Sequence, residues 1–387
     1  MTTTDRAPRE TRIDIVRGVA MLIIAINHIT VAFQIYGLNG FGIPTPTALG
    51  YSSSAAIFVI MSGYMVGMVY QKKPRPAHAV LLRARTLYIN NVLLLIAVAP
   101  LLLLMKPWEA VAWDAGFLFN NPLLGLAMFV TLLRAPVLLD VLQLYVIFML
   151  LAPAALWLHR RSPAGLAVVS VTLWLLSQLA TATHLLDPKL VEWKFNPAAW
   201  QILFFIPMIL GSVRVHTPLF DLLEKRKWMT LVIGCAMASF AVAKLLHVEQ
   251  VMPSYWLLTS KGNLGVLRLI HAPVVILFYC GLLALSRQIP ELAPMRAIAC
   301  IGRQTLYCYI VSVWLTYALA IAWSRLSGGY LSYLAAVLVS LLVTFFIAVL
   351  FDARSGRRAA RMREAPPRDD ERRMPAHLNG AKYGGRR

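Results

Sequence analysis

Asn27 and His28 form a polar pair at the centre of an otherwise apolar stretch running from residue 15 to residue 35. An amide or imidazole placed in hydrocarbon costs free energy unless it is partnered or borders a cavity, so such residues are candidates for function. An imidazole also titrates near neutral pH and can take a proton from a reacting hydroxyl. Arg17 precedes His28 by eleven residues. On a helix rising about 1.5 Å per residue the two lie about 16 Å apart along the axis, and eleven steps of about 100° return them to within about 20° of one face. One groove can therefore touch both, with a guanidinium at the membrane surface and a titratable ring about half-way through the hydrocarbon. That suits an extended anionic ligand.

Other polar residues of the apolar segments sort by depth. Asp14, Arg17, Arg83, Arg85, Arg303 and Gln304 fall near one surface, and Ser52, Ser53, Asp140, Gln143, Asn196, Trp200, Gln201, Arg268 and His271 near the other. A ring of arginines fits phosphate groups, which guanidinium binds bidentately and which a nucleotide-bearing cofactor supplies; Arg17, Arg83, Arg85 and Arg303 are the candidates. Arginines at helix ends also fix topology by snorkelling, a sufficient reason for Arg83 and Arg85. On the other side Trp193, Phe195, Asn196, Trp200 and Gln201 combine aromatic faces with amides, as a sugar requires, although interfacial tryptophan is ordinary in membrane proteins. Arg268 and His271, three residues apart inside a later segment, are harder to attribute to anchoring. Ser62-Gly63 suits close helix packing. Cys235, Cys280, Cys300 and Cys308 lack metal-ligand spacing, and no metal is expected.

The elements that must position these groups are apolar helices. The 387 residues are 59% hydrophobic and 14% charged, with a mean hydropathy of +0.67, which excludes an ordinary soluble domain. Ten segments, 15–35, 53–70, 86–105, 138–158, 164–181, 198–215, 229–247, 264–286, 304–324 and 330–351, approach the length needed to cross a bilayer. The stretch 114–133, broken by Asn120, Asn121 and Pro122, is expected at the outer interface. The fold class is thus all-α, a polytopic membrane protein with about ten transmembrane helices in one domain over 1–351, followed by a basic tail over 352–387 too polar to fold alone.

Basic residues alternate with these segments. Arg6, Arg9 and Arg12 precede the first; Lys72, Lys73 and Arg75 follow the second; Arg160 and Arg161 the fourth; Lys225, Arg226 and Lys227 the sixth; Arg287 and Arg296 the eighth. Short basic loops stay cytoplasmic, so both termini are expected inside a bacterial plasma membrane, and no cleavable signal peptide is expected. The formal net charge of +20 then reflects inner loops and tail facing anionic lipid rather than nucleic acid.

These residues carry a resemblance. Arg12-Ile-Asp-Ile-Val-Arg17-Gly18, Asn27-His28, the Phe58 to Tyr64 stretch with its Ser-Gly, Asp140 to Tyr145, Phe195 to Gln201, Leu267 to His271 and Gly302-Arg303 resemble, in order, segments of the OpgC-type integral-membrane acyltransferases, within a wider superfamily of transmembrane acyltransferases. The resemblance implies transfer of an acyl group, succinyl in the best-known members, from cytosolic acyl-coenzyme A to a hydroxyl of a glycan outside the inner membrane, with osmoregulated periplasmic glucans the acceptor of this branch. It implies that Arg17 and His28 are the catalytic pair and that Arg268 and His271 line the acceptor side. The chain departs from the family pattern at Ser53 and Ala56, where acidic residues precede the Ser-Gly segment, and at Asn91 and Gln304, where histidines stand. An altered acceptor is the expectation these departures raise.

In the resulting scheme, acyl-coenzyme A places its phosphates on Arg17 with Arg83, Arg85 or Arg303, and its thioester stops near His28. The imidazole takes the proton of an acceptor hydroxyl, and Asn27 or backbone amides near Gly63 steady the oxyanion. Asn196, Trp200, Gln201, Arg268 and His271 hold the glycan. An acyl-histidine route fits the same residues. Two rivals stand beside this scheme: a sugar or lipid transporter or flippase, which also needs a polar midplane, and a non-catalytic relative. Oligomeric state is not legible.

Overall fold

The computed structural model describes residues 10–47, 49–183, 194–247, 255–326 and 328–364. Its described residues are helical without strands, and the chain is an all-α polytopic membrane protein. Three long helices come first: α1 (Thr11–Ile35), α2 (Ser54–Tyr70) and α3 (Pro76–Leu103). Three short ones follow, α4 (Pro107–Ala112), α5 (Gly116–Asn120) and α6 (Pro122–Val130), then α7 (Asp140–Arg161) and α8 (Pro163–Ala182). A four-residue turn, α9 (Pro197–Trp200), leads into α10 (Ile202–Ser212). Next come α11 (His216–Lys225), α12 (Trp228–Leu245), α13 (Tyr255–Thr259), α14 (Val266–Ala284), α15 (Ala293–Arg303), α16 (Thr305–Arg325) and α17 (Tyr330–Glu364).

Eight of these helices, α1, α3, α7, α8, α12, α14, α16 and α17, are long and apolar enough to cross a membrane. The other two expected segments are α2, which is apolar but has 17 residues, and the α9–α10 stretch, which bends by 80° into α11. The weak stretch 114–133 forms only the short helices α5 and α6.

Helix starts follow local chemistry. Proline occupies the first turn of α3, α6, α8 and α9, where its missing N–H is no loss, and Ser162 and Asn196 cap α8 and α9 by accepting from Gly165 N (2.9 Å) and Ala198 N (3.0 Å). Two close helix contacts depend on glycine. A Cβ on Gly63 would collide with the Phe204 carbonyl oxygen, so α2 and α10 touch backbone to backbone, and Ser62-Gly63 serves packing. A Cβ on Gly302 would meet the Asp14 carbonyl oxygen, which presses α15 against the start of α1.

The C-terminal boundary differs from expectation. The last helix does not stop near residue 351 but runs to Glu364, passing through Asp352, which Arg303 and Gln304 hold. The remainder of the expected tail, 365–387, lies outside the described residues, as do residues 184–193, including Trp193.

Candidate active site

His28 lies on α1 with 8% of its surface exposed, at the wall of a cavity of about 770 Å³. The cavity is lined by the α1 turn Asn27–Val31, the loop 41–53, the starts of α2 and α7, and the segment carrying Tyr255, Thr259, Lys261 and Arg268. These parts all belong to one end of the bundle, opposite the start of α1. The ring's Nδ1 is buried without a hydrogen-bond partner, a costly arrangement for a polar atom. Nothing therefore fixes the tautomer, and Nε2, the less enclosed nitrogen, is available to accept a proton.

The loop 36–53 forms a roof over His28, and long-range hydrogen bonds pin it. Asn27 Nδ2 donates to Thr47 Oγ1 (3.0 Å) while Asn27 Oδ1 accepts from Thr45 Oγ1 (2.9 Å). The Tyr333 hydroxyl accepts from Ile43 N (3.0 Å), and Lys244 Nζ donates to the Gly50 carbonyl (2.9 Å). Ser52 N donates to His271 Nδ1 (3.0 Å). Asn27 thus spends its amide chiefly on the roof. An oxyanion contact would need its second N–H.

Below His28 the wall is aromatic. Tyr309 meets the imidazole edge-on at 5.8 Å, Phe58 stacks on Tyr309 at 5.9 Å, and Tyr145 meets Phe58 edge-on at 5.7 Å. Phe58 and Tyr145 each stand about one turn deeper than the cavity residues Ala55 and Val141 on their own helices. These three rings form a floor between the cavity and the other half of the bundle.

Arg17 is on the other side of that floor. It donates to Thr305 Oγ1 (3.0 Å) and lies 3.6 Å from Asp14. Thr305 and Tyr309 are one turn apart on α16, so Arg17 and His28 both face that helix, in keeping with their spacing. Beside them Arg303 grips Asp352 with two hydrogen bonds, Nε to Oδ1 (2.9 Å) and Nη2 to Oδ2 (2.6 Å), and this pairing raises the guanidinium's pKa. The four expected phosphate ligands are not gathered together. Arg17 and Arg303 flank the α15–α16 junction, whereas Arg83 is half-buried and Arg85 exposed on α3, and two residues apart they leave the helix on nearly opposite sides.

The structure separates the residues expected to hold a glycan into two groups. Arg268 lines the cavity, its Nε donating to the Thr259 carbonyl (2.5 Å). Asn196, Trp200, Gln201 and His271 do not line it. Trp200 is fully buried and its indole N–H reaches the Lys261 (3.0 Å) and Gly262 (3.1 Å) carbonyls. Gln201 is closed in a ring with Ser170, accepting from its hydroxyl (2.6 Å) and donating to its carbonyl (2.7 Å). Asn196 donates to Ser177 (2.8 Å) and Asn263 (2.9 Å). The polar atoms of these three residues, expected at a sugar site, are engaged in hydrogen bonds within the protein that hold the segment carrying Lys261 and Gly262. His271 is fully buried, its Nδ1 accepting from Ser52 N.

Several cavity residues escape sequence reasoning. Lys244 and Lys261 line the space, yet as isolated lysines near outer loops they read as anchors, and Tyr309 reads as one more aromatic in an apolar helix. Asp140 carried a signal, an acid opening an apolar segment, and it lines the cavity. Of the four departures from the family pattern, Ser53 borders the cavity, Ala56 is packed, Gln304 donates to Asp352 Oδ1 (3.3 Å), and Asn91 is fully buried with both side-chain polar atoms unpaired. Among the described residues no three His, Cys, Asp or Glu side chains are gathered as a metal site would require.

In comparison with known proteins, residues 9–355 fit a family model described as OpgC protein. No curated protein and no solved structure matches.

Proposed function

Because the chain belongs to the OpgC protein family over nearly its whole length, we propose that it is a glucan-modifying acyltransferase of the bacterial plasma membrane, taking an acyl group, succinyl by family analogy, from acyl-coenzyme A. The observation that carries the reading is the position of His28: a buried imidazole with an unpaired nitrogen at the wall of a cavity of about 770 Å³, on the same helix face as Arg17 at the opposite end of the bundle.

Acyl-coenzyme A arrives at the basic end, its phosphates near Arg17 and, once Asp352 gives way, Arg303. Its thioester arm runs along α1 beside α16 and passes the floor of Phe58, Tyr145 and Tyr309 to reach the imidazole. The glucan enters the cavity from the periplasmic end. His28 accepts the proton of a glucan hydroxyl as its oxygen attacks the thioester carbonyl. The new C–O bond forms, the C–S bond breaks, and the departing thiolate recovers the proton from His28. The termini and the Arg17 end face the cytosol in this scheme, as the basic loops require.

The test is transfer from radiolabelled succinyl-coenzyme A to purified periplasmic glucan by the full-length protein in nanodiscs. Ester-linked label is the expected product, and His28→Ala should abolish it while leaving coenzyme A binding intact. Undiminished transfer by that variant removes His28 from the chemistry.

A further inference from the structure

The cavity beside His28 is more positively charged than a neutral sugar requires. Its described lining contains three cations, Lys244, Lys261 and Arg268, and one carboxylate, Asp140. Lys244 is engaged with the roof through the Gly50 carbonyl (2.9 Å). The other two are differently placed. Arg268 is oriented through its Nε by Thr259, which leaves both terminal nitrogens, and Lys261 lies over the Phe195 ring at 5.1 Å with its backbone carbonyl held by Trp200. Neither has a carboxylate within ion-pair distance among the described residues. Desolvation first, then the charges of Arg268 and Lys194, push the Lys261 ammonium's pKa down against the opposing pull of Asp140. Like charges held together in a partly desolvated space are relieved by an anion. Ser53 and Ser54 line the same space, and hydroxyl side chains complement sugar hydroxyls.

We infer that the acceptor bound here is an anionic glycan, a sugar chain carrying a phosphate ester or carboxylate that Lys261 and Arg268 receive while a hydroxyl of the same chain is set at His28. The inference rests on the acyl-transfer reading and adds the charge of the acceptor. The scaffolding by Asn196, Trp200 and Gln201 then has a purpose: it fixes the segment carrying the anion site at a set distance from the base, so that charge recognition selects which hydroxyl reacts.

The experiment uses the full-length protein in phosphatidylcholine nanodiscs and two probes, a glucose pentasaccharide bearing one phosphate monoester and the same pentasaccharide without it, titrated calorimetrically. The phosphorylated probe should bind about tenfold tighter at low salt, the preference should shrink as salt rises, and Lys261→Gln should remove most of it. Equal affinity for the two probes overturns the inference. So does a preference that survives in both Lys261→Gln and Arg268→Gln with unchanged melting temperatures. Exchanging part of the lipid for phosphatidylglycerol distinguishes the source of the anion: displacement of the phosphorylated probe by that lipid assigns the cations to headgroups and overturns the glycan assignment. Because binding needs no chemistry, a protein that prefers the anionic probe but never transfers an acyl group removes the acyltransferase reading and leaves the anion site standing. Equal transfer rates to the two sugars remove the inference alone.

Discussion

Tyr309 meets the His28 ring edge-on, centroids 5.8 Å apart and planes at 75°, while its hydroxyl donates to the Leu138 carbonyl at 2.5 Å. A residue on α16 is thereby tied to the entrance of α7 and holds the imidazole's orientation between them. Since Nδ1 has no hydrogen-bond partner, ring orientation at this site depends on packing. Tyr309→Phe should keep the ring contact and lose the tether, lowering kcat about 3- to 10-fold in the proposed reaction, the factor that one hydrogen bond of about 1 kcal/mol represents. Coenzyme A binding should be unchanged. A variant with full kcat would show that the tether does not orient the base.

Asn27 and His271 both hydrogen-bond the loop that covers His28. Asn27→Leu removes both threonine contacts, and His271→Leu leaves the Ser52 N–H without its acceptor. Both variants should raise the acceptor KM more than they lower kcat, and His271→Leu should also lower the melting temperature, since an unsatisfied buried donor costs about 1–3 kcal/mol. Loss of kcat at constant KM and constant melting temperature would place either side chain against the reacting atoms instead.

Arg303 and Asp352 form a bidentate pair in which each side chain is part-exposed. A pair of this exposure contributes about 0–1 kcal/mol to stability, so Asp352→Asn should barely change the melting temperature. It should tighten coenzyme A binding about 3- to 10-fold by releasing the guanidinium for phosphate, a gain of about 1 kcal/mol. Weaker binding in Asp352→Asn would instead make the intact pair the structure that coenzyme A needs.

Arg83 and Arg85 cannot serve one phosphate site, because α3 points them apart. Arg85 is exposed, and Arg85→Gln should leave coenzyme A affinity unchanged while Arg17→Ala weakens it at least tenfold. Equal losses in Arg85→Gln and Arg17→Ala, measured by calorimetry, would mean that the donor's phosphates spread farther along the basic face than the α15–α16 junction.

Trp200→Phe keeps most of the apolar volume but drops the indole N–H that holds the Lys261 and Gly262 carbonyls. The expected outcome is a lower melting temperature together with a reduced difference in affinity between charged and neutral sugars, since the Lys261 segment loosens. Loss of affinity for the neutral sugar alone, at an unchanged melting temperature, would return Trp200 to a stacking role.

What the sequence by itself determined is whatever depends on local periodicity and hydropathy. The apolar segments become helices because backbone groups in hydrocarbon must be satisfied within the segment, and the eleven-residue step from Arg17 to His28 puts both on the face toward α16 because helical phase is a property of one helix alone. Which polar side chains reach the cavity is not local. Asn196, Trp200, Gln201 and His271 have the residue types of a sugar site, yet long-range partners 19 to 219 positions away in the chain claim their polar atoms, and no spacing rule announces such partners. Asp352 is likewise paired with Arg303, 49 residues earlier, and composition alone gives no sign of that partner. Tertiary structure decided these matters because each hydrogen-bonding group has few places to spend itself, and a buried one goes to the nearest partner that packing supplies.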